Sequence, residues 1–353
     1  QLVTALEKAL DILYEIVWGY PLLILISAVG VYLTIILRGI QFRYLWYGIK
    51  VAVGGGNQPE EGEGDISHFQ SLMTALAATI GIGNIAGVST AVVIGGYGAI
   101  FWMWVTALLG MATKYGEAYL AVKYRHVDKN GEMAGGPMFF IEKGLGWHWL
   151  AFCFALFGAI ASFGGGNMLQ ANSIADALGT MLAIPPYWTG IGVAVFVGLT
   201  LIGGIKSIGR VASVLVPFMA LFYLIGAFIV LGAHYDRIPL ALWRIFEHAF
   251  TGEAAFGGFA GATVMLALQV GVSRGLMTSE AGLGTASIAA AAARTDVPGR
   301  QAMVSMTGSF ISTIIMCTIT GLVLGVTEVF GLEAANGKLL TGVALTMAAF
   351  ESV

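Results

Sequence analysis

Between about Leu72 and Gly96 an apolar run is interrupted near its middle by Thr79-Ile80-Gly81-Ile82-Gly83-Asn84, two glycines and an amide. Lipid offers no hydrogen bonds, so a segment crossing a bilayer must satisfy its own N–H and C=O groups. Broken backbone survives at that depth only where protein or a polar cavity covers the freed groups. A Gly-interrupted span therefore points to a buried site where peptide groups hold a polar ligand. The chemistry suggested is binding and passage, not bond-making.

The rest of the chain agrees with a bilayer. Of 353 residues, 58% are hydrophobic and 10% charged, against roughly 25% charged in soluble domains. Apolar runs recur near the ~20 residues that a helix needs to cross hydrocarbon. The ~10-residue alternating strands of a membrane barrel are not seen. Fifty glycines favour close helix approach and broken helices. The net charge of −3 comes without a basic tail, so no nucleic-acid partner is indicated. Cys153 and Cys317 lie inside apolar spans, which suggests neither disulfide nor metal site. The segment Leu2–Trp18 carries Glu7, Lys8, Asp11 and Glu15, charges that a signal-peptide core does not tolerate. Its Leu2, Leu6, Leu10, Leu13 and Val17 recur at helical spacing, predicting an amphipathic helix at the interface.

Spans are expected at 20–38, 66–96, 98–123, 150–180, 187–204, 210–233, 257–293 and 301–326. The stretch 257–293 is too long for one crossing at about 1.5 Å per residue, and an interruption is expected around Gly271–Gly284. With the amino terminus outside, eleven Lys and Arg fall in inner loops and four outside, the asymmetry that sets orientation. The two interruptions, near Gly81 and Gly275, are about 194 residues apart with four unbroken spans between. Each then opens a five-helix unit, and the broken helices run in opposite senses, the pattern of an inverted repeat. The organisation predicted is 1–65 (amphipathic helix, one span and an inner loop), 66–233 (first repeat) and 234–353 (second repeat). The second repeat reads as incomplete, about three spans short.

At the first break, a half-helix starting near Gly83 offers free N–H groups and a positive dipole end, suited to a carboxylate. The half-helix ending near Ile80 exposes the carbonyls of Ala77 to Ile80, suited to a small hard cation. An amino-acid zwitterion and Na⁺ could be held here without an ionised side chain. At the second break, Ser273, Gly275 and Met277 are read as pocket lining. Arg274 and Glu280 are intramembrane ionisable groups, equally readable as a structural pair or, with Ser279, a helix cap. Asn167 and Gln170 share a helix face, and Gln170 is expected to close the pocket. Lys114, Glu117 and Lys123 read as ends snorkelling to the inner interface. Trp102 and Trp104 read as packing. Gly81 to Ala86 fits the dinucleotide pattern only superficially, lacking its strand and its acid. No set of residues suits an intramembrane hydrolase, so no enzyme is expected.

The stretches Gly95 to Gly110, Gly135 to Ile141 (GGPMFFI), Gly203 to Arg210 (GGIKSIGR) and Gly271 to Ala293 resemble signatures of the alanine/glycine:cation symporters (sodium:alanine symporters). The likeness runs from about Asp65 to Ala293. It implies an all-α polytopic membrane fold shared with neurotransmitter:sodium symporters, two inverted five-helix repeats with discontinuous first helices, preceded by an extra helix. In those relatives the first core helix carries Gly-Leu-Gly-Asn, which Gly81-Ile82-Gly83-Asn84 matches. The likeness implies that the N–H groups of Ile82 and Gly83 receive a substrate carboxylate. It also implies that the Ala77 and Ile80 carbonyls form part of a Na⁺ site, and that Thr79 and Asn84 occupy a second cation position. The expected function is Na⁺-coupled symport of small neutral amino acids, alanine or glycine, by alternating access across the cell membrane. H⁺ coupling through Glu280 is the alternative.

Overall fold

The computed structural model describes residue 8 and residues 19–54, 62–164, 166–251, 263–332 and 339–353. The amphipathic helix expected over Leu2–Val17 lies almost wholly outside them. Four helices are long and apolar enough to cross a membrane: His68–Gly95, His148–Leu182, Gly204–Ala233 and Pro298–Thr327. Shorter apolar helices stand at Tyr20–Ile36, Pro186–Ile202 and Gly342–Glu351. The chain is a multi-pass, all-α membrane protein; the strands among the described residues are the two-residue pairs β1 (His126–Val127) and β2 (Met133–Ala134).

In chain order the helices are α1 (Tyr20–Ile36), α2 (Ile40–Arg43), α3 (Leu45–Ala52), α4 (His68–Thr79), α5 (Ile82–Gly95), α6 (Gly98–Lys123) and α7 (Pro137–Phe140). They continue as α8 (His148–Gly164), α9 (Gly166–Leu182), α10 (Pro186–Ile202), α11 (Gly204–Ala233) and α12 (Ile238–Thr251). The remainder are α13 (Val264–Ser279), α14 (Thr285–Ala291), α15 (Pro298–Thr327) and α16 (Gly342–Glu351). Local chemistry sets several starts. Ser67 and Gln70 cap α4 reciprocally, Ser67 Oγ accepting the Gln70 N–H at 3.1 Å and Gln70 Oε1 the Ser67 N–H at 3.0 Å. The Thr263 hydroxyl accepts the Leu266 N–H at the head of α13. Pro186 and Pro298 open α10 and α15, where a missing N–H costs nothing.

Helix α6 is the hub, packed against α1, α5, α12, α13, α14 and α15. Small residues bring the axes close. A Cβ at Gly275 would lie 2.9 Å from Thr106 Cβ, and one at Gly30 would lie 2.9 Å from Leu109 Cβ. Gly271 meets the Ala99 carbonyl and Trp102, and Ser279 reaches the turn at Gly110. These positions, spaced by four, form one face of α13. The face one step round, at Ala267, Val270 and Thr278, meets Gly95 and Gly83 of α5. Since Gly95 meets the start of α13 and Gly83 its end, α5 and α13 are antiparallel. Trp102 and Trp104 sit in an aromatic cluster with Phe101, Phe246 and Phe250. Their indole N–H groups donate to the Ala249 carbonyl and the Thr318 hydroxyl.

The second interruption falls at the C-terminal end of the stretch expected, 271–284, and not at Gly275. Helix α13 runs unbroken through Gly271 and Gly275, because both glycines are pressed against α6 and the backbone there keeps its ladder. The break falls at 280–284, where Glu280 (φ 51°), Gly282 (φ 91°) and Gly284 (φ 76°) are left-handed. Ser279 thus ends a helix instead of heading one.

Candidate functional site

The first break is two residues long. Helix α4 ends at Thr79, Ile80 (φ −82°, ψ 90°) and Gly81 (φ −162°, ψ −146°) leave helical geometry, and α5 begins at Ile82. Two half-helices meeting this way leave the last carbonyls of one and the first N–H groups of the other without intrahelical partners. Local backbone bonds recover little: Ile80 N–H donates to Leu76 O at 2.6 Å and Asn84 N–H to Gly81 O at 3.1 Å. The carbonyl end at Ala77 and Ile80 and the N–H end at Ile82 and Gly83 therefore lie side by side, one electronegative and one electropositive.

Of the residues expected around this break, Gln170 of α9 is brought to it directly. A Cβ at Gly81 would lie 2.9 Å from its Oε1 and 3.1 Å from its Nε2. Asn167 is exposed and accepts its neighbour's N–H, from Met168. The Thr79 hydroxyl turns back onto its own helix, toward Ala75 O and Leu76 O, so it is not presented to a ligand. Asn84 is 1% exposed. Its Oδ1 accepts from Cys317 Sγ at 3.5 Å, and its Nδ2 has no partner among the described residues.

Ser273, Gly275 and Met277 do not meet the first break as a set. Gly275 is packed on α6, and Met277 is 42% exposed beside the Arg274 guanidinium, 3.8 Å from Sδ. The residue that faces Gly83 is Thr278, its Cγ2 3.7 Å from where a Gly83 Cβ would stand. Three residues make almost one helical turn, which moves the facing position from Gly275 to Thr278. Thr278 Oγ1 lies 3.0 Å from Thr313 Oγ1, and Ser312 Oγ lies 3.5 Å from the same atom. Residues 310–317 of α15 are wound as wider π turns, a local change that favours functional positions. The result is a buried set of neutral oxygens: Asn84, Thr278, Ser312 and Thr313. Uncharged oxygen ligands suit a hard cation better than a transition metal. No cluster of three His, Cys, Asp or Glu able to hold a metal occurs among the described residues.

Ile80, Gly81 and Asn84 also floor a cavity of about 700 Å³. Its walls, including Phe222 and Tyr223 of α11, Met316 of α15 and Phe350 of α16, are mostly apolar. Polar side chains are few there, among them Asn84, Tyr223 and Thr346.

The second break is satisfied from within the protein. Glu117 Oε1 on α6 accepts the Gly282 N–H at 2.9 Å. Glu280 accepts the Thr285 hydroxyl at 3.2 Å, and among the described residues it forms no ion pair with Arg274. Lys114, 2% exposed, lies in the field of Glu280 and Glu117. The snorkelling reading of Lys114 and Glu117 is therefore corrected: both turn into the bundle. An acid and a base three apart inside an apolar run were the available signal, since buried ionisable groups need partners.

At the inner end, the segment before α4 joins the segment after α14. Ile66 and Ala293 form a parallel bridge, Arg294 N–H donates to Ile66 O, and Asp65 and Ile66 N–H donate to Ala292 O. Arg125 donates to four carbonyls there, Ala291 (2.8 Å), Ala293 (2.7 Å), Glu63 (2.6 Å) and Thr295 (2.6 Å). Burial pulls its guanidinium below the ordinary value, opposed by Asp296, Glu63 and Asp65.

The model of the sodium:alanine symporter family matches residues 3–353. The "Sodium/alanine symporter AgcS" of Methanococcus maripaludis is 54% identical over 342 residues, which cover 96% of this chain and 74% of that protein. The "Probable sodium/glutamine symporter GlnT" of Bacillus subtilis is 33% identical over 350 residues, 98% of this chain and 70% of that protein. The "Amino-acid carrier protein AlsT" of the same organism is 35% identical over 323 residues, 90% and 66% respectively.

Proposed function

Because the chain belongs to the sodium:alanine symporter family, a family of Na⁺-coupled amino-acid carriers, we propose that it imports small neutral amino acids, alanine or glycine, by alternating access across the cell membrane. The observation that carries this reading is the Ile80–Gly81 break, with its freed peptide groups set against the Gln170 amide. Substrate carboxylate goes to the N–H groups of Ile82 and Gly83, where partial positive charge is already oriented. Gln170 offers a donor and an acceptor to the same small molecule. Na⁺ takes the carbonyls of Ala77 and Ile80, and the neutral oxygens around Asn84 and Thr278 give a second place for a cation. The antiparallel course of α5 and α13 supports two inverted units meeting at the breaks.

Small residues suit a small cargo. Gly81 already lacks room for a Cβ beside Gln170, which favours alanine or glycine over glutamine. The test is uptake of labelled alanine, glycine and glutamine by the protein in vesicles with an imposed Na⁺ gradient. Uptake that persists when K⁺ replaces Na⁺, with no proton gradient, overturns Na⁺ coupling in this chain. Loss of pH-dependent accumulation in Glu280→Gln, with Na⁺ dependence absent, would move the coupling ion to H⁺.

A further inference from the structure

Helix α14 is only seven residues long, yet both its ends are held by side chains from one neighbouring segment. At its N-terminal side Glu117 Oε1 takes the Gly282 N–H at 2.9 Å. At its C-terminal side Arg125 takes the carbonyls of Ala291 and Ala293. Negative charge thus meets the positive end of the helix dipole, and positive charge the negative end. Arg125 lies two residues past the end of α6, so both anchors come from one continuous stretch of chain. Between the two ends the surfaces are small, with Ala118 of α6 against Ala290 and Ala302. The second oxygen of Glu117 is buried and reaches no donor among the described residues. Lys114, three residues earlier on the same helix, lies in the field of Glu280 and then of Glu117, with no ion pair to either among the described residues. Lys114 extends toward α15, where a Cβ at Gly308 would stand 3.8 Å from Nζ.

We propose that Glu117 is a positioning residue for transport: it keeps the peptide groups of the 280–284 turn occupied and, with Arg125, fastens α14 to α6 so that the two move as one body. The second break is then a fixed joint, and the Ile80–Gly81 break is the one that answers to ligand. This rests on the transport reading for its turnover readout alone; amide exchange reports the fastening without it.

The test uses Glu117→Ala, Glu117→Gln, Lys114→Met and the Lys114→Met/Glu117→Gln pair in the full-length protein. Glu117→Ala is expected to speed exchange at the amides of 282–291 about tenfold or more, the loss of a buried charged acceptor, while amides at 77–84 keep their rates. Turnover of Na⁺-driven alanine uptake falls by a similar factor and KM changes less than about twofold, because the first break is untouched. Lys114→Met alone also lowers turnover. The paired variant, neutral but with an amide oxygen still facing Gly282, recovers to within about threefold of the parent, since replacing both members of a buried pair costs less than removing one. Unchanged exchange at 282–291 in Glu117→Ala, a loss expressed in KM, or a paired variant no better than the singles each overturns the proposal. If Glu117→Ala does not fold, the Gln variant and the pair decide it by the same readings.

Discussion

The first break leaves its peptide groups open, and the second has its own filled. At Ile80–Gly81 the backbone departs from helix for two residues with no ionised side chain bonded to it among the described residues, facing an amide and a cavity. At 280–284 five residues turn through three left-handed positions, and a carboxylate from α6 takes the exposed N–H. An open end can exchange partners at little cost, because it gives up water or ligand for ligand. A filled end must break a charge-assisted bond before anything replaces it. Two discontinuities alike in sequence thus differ in whether side chains of the protein occupy their peptide groups.

Substitutions can break this comparison. The largest effect on transport is expected from Gly81→Leu, whose side chain displaces the Gln170 amide. Uptake falls by about a hundredfold, as when reacting groups are misplaced by an ångström, while detergent melting of the protein stays near that of the parent. Gly284→Ala should do the reverse. Its φ of 76° and the nearby Pro137 ring leave no place for a Cβ. Stability drops by about 2 kcal/mol or more, read as a lower melting temperature, with KM for alanine little changed in what folds. Gly275→Ala pushes α13 off α6 at Thr106 and is expected to cost about 1–3 kcal/mol, again in stability. Gly83→Ala meets only Thr278 Cγ2 at van der Waals distance, so uptake should stay within about threefold of the parent, roughly 0.7 kcal/mol. A hundredfold loss there means that the N–H end is more crowded than the geometry shows.

The smallest effect lies outside both breaks. In the β1–β2 turn, Asp128 Oδ1 accepts the N–H groups of Asn130 and Glu132 at 2.8 and 2.9 Å. Chiefly the Glu132 bond holds its carboxyl below the ordinary value. A folded value below the unfolded one means that the stabilisation is complete above about pH 4 and is lost as pH falls through the folded value. Protection of the Asn130 and Glu132 amides, taken relative to intrinsic exchange at each pH, should fall on acidification below about pH 4, and should be low already at neutral pH in Asp128→Asn.

The readable part of this protein was what depends on local composition. The run around Gly81 announced a break because two glycines at mid-span, followed by Asn84, weaken the helix where lipid offers no other partner. The span 98–123 coincides with α6 because its apolar length and Lys123 mark both ends. Helical spacing set Asn167 and Gln170 on one face, and the structure brings Gln170 to Gly81 while Asn167 stays exposed. Which glycines of 271–284 form the second break was not legible. Gly271 and Gly275 look like an interruption, yet they serve helix contact, and the true break follows at Glu280. A glycine has the same sequence signature whether it admits a neighbouring helix or a left-handed turn, and only the neighbour distinguishes them.

By itself, then, the sequence determined a multi-pass helical membrane protein with an unwound segment at Gly81, since hydrocarbon imposes helix and the glycines there weaken it. Only the tertiary structure decided that Thr278 faces Gly83, that Gly275 faces Thr106, and that Lys114 and Glu117 turn inward. Those assignments depend on the rotation of α13 and α6 about their axes, which is set by the packing of whole faces against one another.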